Sequence, residues 1–347
     1  MEPIATQQKQ HVPRIYALED IEKVTSLPSF QGALIEAISN GFVAFSNNKF
    51  SAAAIQTMGA PPLGPFVVAA AMPAKDYAAQ TCVKSGYFQD NPYYVIKVGS
   101  GGTPWENAGL MQVYSQSTGR LAALLLDDGV LTELRTAAVG ALAAKMLAPK
   151  PIRRIGIVGT GVQARYQLQM LEYVTDCREV LVWGRSAEKV DAYIHEMKQK
   201  GWLIKKAETA DELLLQCELV VTTTNAREPV LGTTGVVPPK GALITCIGSD
   251  APGKMELDVS LVVKASILVA DNPPQSQERG EFQSVLGQGK KMLEQVVPLG
   301  QICQSKEFHR VPNDESLIIF DSSGVALQDC VVAQMVYEAL INSEGQL

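Results

Sequence analysis

The chain has 347 residues, 46% of them hydrophobic and 19% charged, and its formal net charge is −6. This length allows two domains with substantial cores, and the negative charge provides no basic field for nucleic acid. No apolar run approaches the roughly 18 residues that a membrane span needs, so we expect a soluble cytoplasmic protein without membrane or nucleic-acid partners.

The cysteines and histidines argue against a metal centre. The six cysteines are scattered without a C-x-x-C pair, and the three histidines lie in distant segments. This spacing supports neither a zinc site, nor a disulfide framework, nor a histidine-based triad. We therefore predict no metal, and reduced thiols in the core.

The first part of the chain predicts helices followed by a mainly antiparallel sheet. Apolar residues recur at helical spacing over residues 18–48. Four β-type runs follow, separated by turns rich in glycine and proline, at residues 66–71, 93–98, 110–114 and 121–126. An Ala-rich helix is predicted over 131–147, and the breaker Pro149-Lys150-Pro151 marks a nearby domain boundary.

Beyond this boundary, strands and helices alternate in the manner of a doubly wound parallel sheet. Strands are predicted at residues 179–183, 203–206, 218–224, 242–247 and 268–269, with helices at 187–200 and 210–215. A strand at 317–320 and a helix at 331–341 follow and lead back to the first domain. The predicted fold class is α/β, with a Rossmann-type parallel sheet and a second domain built on a mainly antiparallel sheet.

The most informative motif is Gly159-Thr160-Gly161-Val162-Gln163-Ala164, which follows an apolar run and opens a helical pattern. Gly159 permits a tight turn, Gly161 lets the backbone approach a pyrophosphate, and Ala164 lets helix and strand pack closely. Such a turn also occurs where a chain merely reverses, but the next strand follows at the distance of a βαβ unit. The motif therefore predicts a dinucleotide site, with the pyrophosphate at the start of the helix.

The end of the strand at 179–183 indicates which dinucleotide binds. Gly184-Arg185-Ser186 stands where NAD enzymes carry an acidic residue for the ribose 2′-hydroxyl. Arg185 with Ser186 suits a 2′-phosphate, because a guanidinium makes charge-assisted hydrogen bonds to it. We predict NADP in preference to NAD. The alternative is that Arg185 only ends the strand in solvent.

Three ionisable residues are candidates for the chemistry. Asp250 follows the strand at 242–247, at the end where open α/β sheets bind ligands, although a turn-forming aspartate would fit the same place. Arg135 lies in a helix of small residues and suits a substrate carboxylate, or else pairs with Glu133 or another acid. Lys97 interrupts an apolar β-run, so it is either functional or faces solvent.

The ordered motifs resemble the ornithine cyclodeaminase/μ-crystallin family over residues 72–329. They are Met72-Pro73-Ala74, the Lys97 segment, Leu131-Thr132 with Arg135-Thr136-Ala137-Ala138, the glycine motif, Gly248-Ser249-Asp250 with Pro252-Gly253-Lys254 and Glu256-Leu257, Arg279-Gly280-Glu281-Phe282, and Phe320-Asp321-Ser322 with Gly324. The resemblance implies a Rossmann domain (129–320) inserted into an α/β domain (1–128 and 321–347) that makes a homodimer contact.

The resemblance also implies roles for single residues. Lys97 and Arg135 would hold the substrate carboxylate, and Asp250 would give and take a proton near the reacting carbon. The implied cofactor contacts are Val162 and Gln163 at the pyrophosphate, Thr224 at the ribose region, Lys254 and Ser322 near the nicotinamide half, and Arg185 where NADP-using members carry an arginine.

Two departures from the family pattern concern the substrate pocket. Cyclodeaminases place an acidic residue two positions before the Met-Pro pair, where this chain has Ala70. Most members carry an upstream arginine for the carboxylate, whereas residues 49–55 contain none. Carboxylate binding would then fall to Arg135 and Lys97, or the substrate is not a standard α-amino acid.

Three functions stay open. The preferred one is an NAD(P)-dependent oxidoreductase at the C–N bond of an amino or imino acid, with hydride transfer between nicotinamide and the imine carbon and with Asp250 or Lys97 handling the proton. The second is an ornithine- or lysine-type cyclodeaminase with recycled NAD, against which Ala70 and Arg185 count. The third is a μ-crystallin-like NADP-binding protein with little turnover, which would not require an acid–base pair.

Overall fold

The computed structural model describes residues 12–59, 80–102, 105–285, 295–305 and 314–344. The predicted strand at 66–71, the Met72-Pro73 pair and Ala70 lie outside these residues. The described chain forms two β-sheets with packed helices, one sheet parallel and the other mainly antiparallel. The predicted α/β fold class is confirmed.

The first sheet is mainly antiparallel. Its strands are β1 (Arg14–Tyr16), β2 (Phe50–Ala52), β3 (Gln56–Gly59), β4 (Gln80–Phe88), β5 (Tyr93–Gly102), β6 (Trp105–Ser115) and β7 (Leu121–Leu125). They run in the order β1-β7-β6-β5-β4-β2, with β3 also paired to β4, and only the pair of β1 and β7 is parallel. The sequence patterns did not predict β4, because glycine and lysine occupy inward positions where apolar residues were expected.

The second sheet is parallel throughout. Its strands are β8 (Ile155–Val158), β9 (Glu179–Trp183), β10 (Leu203–Lys206), β11 (Leu219–Thr222), β12 (Leu243–Cys246), β13 (Ile267–Ala270), β14 (Val297–Pro298) and β15 (Ile318–Asp321). Their order is β10-β9-β8-β11-β12-β15-β13-β14. From β8 the chain adds β9 and β10 on one side, and it then returns to add β11 and β12 on the other side of β8. Open α/β sheets bind dinucleotides at such a switch point, here between β8 and β11.

The helices connect the two sheets and cover them. They are α1 (Leu18–Thr25), α2 (Pro28–Ser46), α3 (Val130–Leu147), α4 (Val162–Met170), α5 (Ala187–Gln199), α6 (Ala210–Gln216), α7 (Val259–Lys264), α8 (Pro273–Arg279), α9 (Leu299–Gln304) and α10 (Ala326–Glu344). The helical pattern predicted over 18–48 is divided in two, because Leu27 before Pro28 is extended. No helix in the described ranges is long and apolar enough to cross a membrane.

Helix α3 joins the two halves of the molecule. Its alanines are buried on nearly every side, and it packs against α2 and α10 as well as α4. Helix α10 follows β15 of the second sheet along the chain, and it packs on the inner face of the first sheet. One hydrophobic core therefore extends from the first sheet to the near face of the second. The division of the chain at 128/129 and 320/321 stays a prediction.

Candidate active site

The glycine motif lies at the carboxyl edge of the parallel sheet, between β8 and α4. Gly159 has a φ of 111°, and a Cβ there would lie 2.7 Å from Thr223 Oγ1, so the turn requires glycine. A Cβ added to Gly161 would meet no atom within 4 Å. Among the described residues no side chain caps α4, and its first turn has no acidic residue. The free N–H groups of this turn therefore fit an anionic phosphate.

Arg165 supports the glycine turn, a role that the sequence did not reveal. Its Nη1 donates hydrogen bonds to the carbonyl oxygens of Thr160 at 2.7 Å and Gly161 at 3.0 Å. Its Nε pairs with Glu196 at 2.6 Å, and its guanidinium lies 5.3 Å from the ring centroid of Tyr193. These contacts fix the carbonyl side of the turn and leave its N–H side open.

Val162 and Gln163 form the first turn of α4. Val162 is 54% exposed, so this turn lies at the surface. The Gln163 side chain is turned to α3, where Nε2 donates to the Glu133 carbonyl at 3.0 Å and to the Glu133 carboxylate. Only the backbone N–H of Gln163 thus remains for the predicted pyrophosphate contact.

Arg185 and Ser186 follow β9 at the same edge of the sheet. Ser186 is the N-cap of α5, where its Oγ accepts from the Lys189 N–H at 3.3 Å. Arg185 is exposed and makes no hydrogen bond or ion pair with the part of the chain that the structure describes. The guanidinium is thus available to a ligand, and the alternative of a solvent-exposed strand end is still open.

Thr224 is held by a buried carboxylate, which the sequence singled out only as part of a family motif. Glu256 accepts from the Thr224 N–H at 2.6 Å and the Thr224 hydroxyl at 2.8 Å. It also accepts from the Thr222 hydroxyl at 2.6 Å and the Gly248 N–H at 2.9 Å. Glu256 therefore ties together the loops that follow β11 and β12. The Thr224 hydroxyl, which also accepts from the Ala226 N–H at 3.3 Å, keeps one lone pair for a ligand.

Glu281 holds the backbone of Glu256 and makes the stability of the protein depend on pH. It accepts from the N–H groups of Glu256 and Leu257, both at 2.9 Å. Burial and then the Glu256 charge raise the pKa of Glu281 from 4.5 to about 8. The folded chain therefore binds this proton more tightly than the unfolded chain, and stability falls as the pH rises between these values.

Replacing Glu281 by glutamine is expected to make this fall shallower by about 1.4 kcal/mol per pH unit. Urea unfolding at several pH values measures the slope of the free energy of unfolding against pH. The hydrogen bond that the amide loses lowers this free energy at every pH and therefore does not change the slope. Glu278→Gln, at an exposed position of α8, is the control and should leave the slope unchanged. Equal slopes in Glu281→Gln and wild type would contradict the assignment.

The loop after β15 is also organised by a buried acid. Asp271 accepts from the Ser322 hydroxyl at 3.0 Å, the Gly324 N–H at 2.8 Å and the Ser323 hydroxyl at 3.3 Å. Ser322 is predicted near the nicotinamide half. Its hydroxyl proton is engaged, so its oxygen remains as a hydrogen-bond acceptor.

Asp250 forms an ion pair in the loop after β12. Its Oδ1 lies 2.7 Å from Lys254 Nζ, which also donates to Asn225 at 3.2 Å, and its carbonyl accepts from Arg279 Nε at 2.8 Å. The Asp250 side chain is 56% exposed. Desolvation raises the pKa of Asp250, but the Lys254 ammonium outweighs it and the pKa lies below its ordinary value. At neutral pH this carboxylate is therefore a proton acceptor.

Lys97 and Arg135 lie together in the interior, at the inner face of the first sheet. Lys97 is 6% exposed and Arg135 5%. Both pair with Asp329 Oδ1, Arg135 through Nε at 3.0 Å and Lys97 at 3.7 Å, and Arg135 Nη1 donates to Gln328 at 2.7 Å. Lys97 does not face solvent, and the acidic partner of Arg135 is Asp329, not Glu133. The guanidinium Nη2 has no hydrogen-bond partner within the described ranges.

Sequence reasoning missed several charged residues of this region. Lys84 lies opposite Lys97 in the register of β4 and β5. Asp127 lies just before α3, where its Oδ2 accepts from the Leu131 N–H at 3.0 Å, and burial raises its pKa to about 6. The signal in the sequence that could have revealed Lys84 was a charged residue at an inward position of a strand. No group of three or more His, Cys, Asp or Glu side chains that could hold a metal occurs among the described residues.

The parallel sheet, its switch point and the open glycine turn define a Rossmann-type dinucleotide-binding fold. The family model of the ornithine cyclodeaminase/mu-crystallin family matches residues 16–344. The chain belongs to this family, which confirms the resemblance inferred from the motifs.

Three relatives illustrate what the chain is similar to. An uncharacterized cyclodeaminase of Sinorhizobium fredii is 32% identical over 76% of this chain and 81% of that protein. The structure of an archaeal alanine dehydrogenase dimer with bound NAD has a TM-score of 0.80 at 27% identity, covering 96% of this chain and 97% of that one. The iminosuccinate reductase of Paracoccus denitrificans with NAD⁺ has a TM-score of 0.80 at 26% identity, with the same coverage. The reaction class predicted from the sequence is the one that the last two relatives are named for.

Proposed function

We propose that this protein is an NAD(P)-dependent oxidoreductase acting on the C–N bond of a small amino or imino acid, as an imine or ketimine reductase or an amino acid dehydrogenase. One juxtaposition carries the proposal. The glycine turn and the Asp250–Lys254 pair lie at one edge of the parallel sheet. Arg135 adjoins the loop at Gly324 that follows β15 of this sheet, and Lys97 shares with Arg135 the carboxylate of Asp329. A cofactor site, a proton carrier and a carboxylate site are thus next to one another.

The residues at the turn fit the cofactor. The open space at Gly161 and the uncapped start of α4 suit a pyrophosphate, held by the turn Gly159-Thr160-Gly161 and the N–H groups of Val162 and Gln163. Thr224 is proposed at the ribose region, and Lys254 and Ser322 near the nicotinamide half. When bound, the nicotinamide supplies or takes up the hydride at the imine carbon.

The substrate carboxylate is assigned to Arg135 and Lys97, and the proton transfer is assigned to Asp250. Arg135, whose Nη2 is available, and Lys97 would hold the substrate carboxylate, because a guanidinium fork matches its geometry. Asp250 would accept the proton that the substrate releases when the amine is oxidised, and return it when the imine is reduced. Its lowered pKa keeps it in the accepting form at neutral pH.

NADP is the proposed dinucleotide, on the strength of Arg185. Arg185→Asp is expected to weaken NADP binding by about 10- to 100-fold and to shift preference to NAD, because it removes a charge-assisted hydrogen bond and adds a repelling charge. Fluorescence titration with both dinucleotides measures the ratio. Lys198→Asp, at the far end of α5, makes the same charge change away from the edge and should leave the ratio unchanged. An unchanged ratio in Arg185→Asp would remove Arg185 from this role.

A homodimer is proposed because the outer face of the first sheet presents apolar side chains. Tyr94 and Tyr114 stack there with ring centroids 4.9 Å apart, next to a groove lined by Tyr87 and Ile96. The alanine dehydrogenase relative is a dimer. Sedimentation velocity tests this state, and a monomer at micromolar concentration would contradict it.

The reaction is tested by following the absorbance of reduced nicotinamide with NADPH or NADH, ammonia, and a panel of 2-oxo acids and cyclic imines. Net loss with one class of substrate is the expected result and identifies the class. Ammonia released from ornithine or lysine without net change in the cofactor would establish the cyclodeaminase instead. Tight NADP binding without turnover of any compound would favour the binding protein.

A further inference from the structure

Arg279 is a cation beside the candidate active site to which the proposed reaction assigns no role. It is the last residue of α8, and Gln275 lies one turn before it. Side chains four residues apart lie on the same face of a helix, so both of them leave α8 on one side. The contacts of these two side chains therefore show what this face of α8 borders.

These contacts place Arg279 between Arg135 and Asp250. Gln275 Nε2 donates to the Gly324 carbonyl at 2.9 Å, and Arg279 Nε donates to the Asp250 carbonyl at 2.8 Å. A Cβ placed on Gly324 would lie 3.1 Å from Arg135 Nη1, so the Arg135 guanidinium meets the same loop as Gln275. This face of α8 thus extends from the Arg135 side of the site to the Asp250 side.

The electrostatic effects of Arg279 agree with this position. Burial raises the pKa of Asp250, but the positive charges of Lys254, Lys84 and Arg279 outweigh this effect. Burial is the main cause of the lowered pKa of Lys84, and the positive charge of Arg279 adds to it. Because Coulomb interactions weaken with distance, Arg279 lies near groups on both sides of the site.

The guanidinium of Arg279 is only partly engaged. Its side chain is half-buried, and no carboxylate of the described residues forms an ion pair with it. The two nearest candidates have other partners, because Asp250 pairs with Lys254 at 2.7 Å and Asp329 pairs with Arg135 at 3.0 Å. Only Nε has a hydrogen-bond partner in the described chain, so the N–H groups of Nη1 and Nη2 are available to a ligand.

A guanidinium at this place selects the substrate side chain by its charge. The reacting carbon carries a carboxylate, assigned to Arg135 and Lys97, and a nitrogen whose proton is assigned to Asp250. Its remaining substituent is the side chain, and Arg279 forms part of the wall between the other two. An acidic side chain would make charge-assisted hydrogen bonds to Arg279, whereas an aliphatic one would leave it unpaired and an ammonium group would be repelled.

We propose that Arg279 is a specificity-determining residue that binds a second carboxylate on the substrate, and that the substrates are dicarboxylic amino or imino acids. The inference rests on the proposed function, which supplies an amino or imino acid. It also counts against ornithine and lysine as substrates, because their distal ammonium group would lie near an unpaired arginine.

The test measures binding, so that it does not depend on turnover. Two pairs of similar shape, L-aspartate with L-asparagine and L-glutamate with L-glutamine, are titrated calorimetrically into protein saturated with whichever of NADPH or NADH binds. The reduced dinucleotide prevents oxidation of the amino acid. Wild type is expected to bind the acid of at least one pair about 10-fold or more tightly than its amide.

Arg279→Met should weaken binding of that acid by about 10- to 100-fold, as expected for loss of a charged hydrogen bond, and leave binding of the amide unchanged. Arg279→Lys should restore much of the preference. Arg120→Met is the matched control, because Arg120 is an exposed arginine just before β7 of the other sheet, and it should bind as wild type does. Dinucleotide affinity checks that each variant is folded, and Arg279→Gln replaces the methionine variant if that variant does not fold.

An acid preference that survives in the neutral variants, or that wild type lacks in both pairs, would overturn the proposal. Tighter binding of L-ornithine or L-lysine than of either acid would overturn it as well. Turnover of monocarboxylic substrates alone, unaffected by Arg279→Met, would reject the second carboxylate and retain the proposed reaction. A preference for the acid that depends on Arg279, without turnover of any compound, would reject the proposed reaction and retain the site for an acidic ligand.

Discussion

Asp250→Asn is expected to lower kcat by about two to four orders of magnitude, because an amide cannot accept or return the proton that the C–N chemistry requires. The loop itself should persist, since the Asp250 carbonyl keeps its hydrogen bond from Arg279 at 2.8 Å. Steady-state kinetics with the substrate class found in the nicotinamide assay measures the effect. Dinucleotide affinity, measured in parallel, should change little.

The control for this experiment is Asp258→Asn. Asp258 is the N-cap of α7, where it accepts from the Ser260 N–H at 2.8 Å, and asparagine caps a helix equally well. This variant changes the same charge near the same loop and should turn over as wild type does. If Asp250→Asn behaved like Asp258→Asn, Asp250 would have no part in proton transfer.

Asp329→Asn is expected to lower the free energy of unfolding by about 3–5 kcal/mol, because it removes the negative charge shared by two buried cations. Arg135 at 3.0 Å and Lys97 at 3.7 Å would both lose their ion-pair partner. Urea unfolding measures the loss. Glu179→Gln breaks an exposed pair with Arg154 and should change the free energy by no more than about 1 kcal/mol.

The effect of Asp329 depends on pH in a direction that the structure fixes. Burial raises the pKa of Asp329, but the positive charges of Lys97, Arg135 and Lys84 outweigh this effect. The pKa of Asp329 therefore lies below its ordinary value. Its stabilisation is therefore present above the unfolded aspartate pKa of about 3.9 and is lost as the pH falls through the lower folded value. A difference between wild type and Asp329→Asn no larger than that of Glu179→Gln at neutral pH would contradict this account.

Local patterns were sufficient where the physical cause is local. The glycine turn was predictable because its requirements, a positive φ at Gly159 and free N–H groups after Gly161, depend on neighbouring residues only. The break between α1 and α2 carried its own signal, Pro28, which restricts the residue before it. Strand β4 was missed because its inward positions include Lys84 and Gly86, whose surroundings come from other elements.

The two buried acids beside the cofactor loops show the limit of motif reading. Glu256 and Glu281 were part of recognised motifs, yet their function was invisible in one dimension. Their hydrogen bonds join them to backbone or hydroxyl groups that lie 8 to 34 residues away in the chain. Their raised pKa values follow from burial, which sequence does not state.

The sequence by itself determined the α/β class, the family and the dinucleotide turn, because alternation of elements, ordered motifs and turn geometry are encoded between near neighbours. Only the tertiary structure decided that Arg135 meets Asp329, 194 residues away, and that Lys84 meets Gly324, 240 residues away. Charges interact through space, not along the chain, so the partner that stabilises a buried cation, or its absence, emerges only when distant strands and helices pack together.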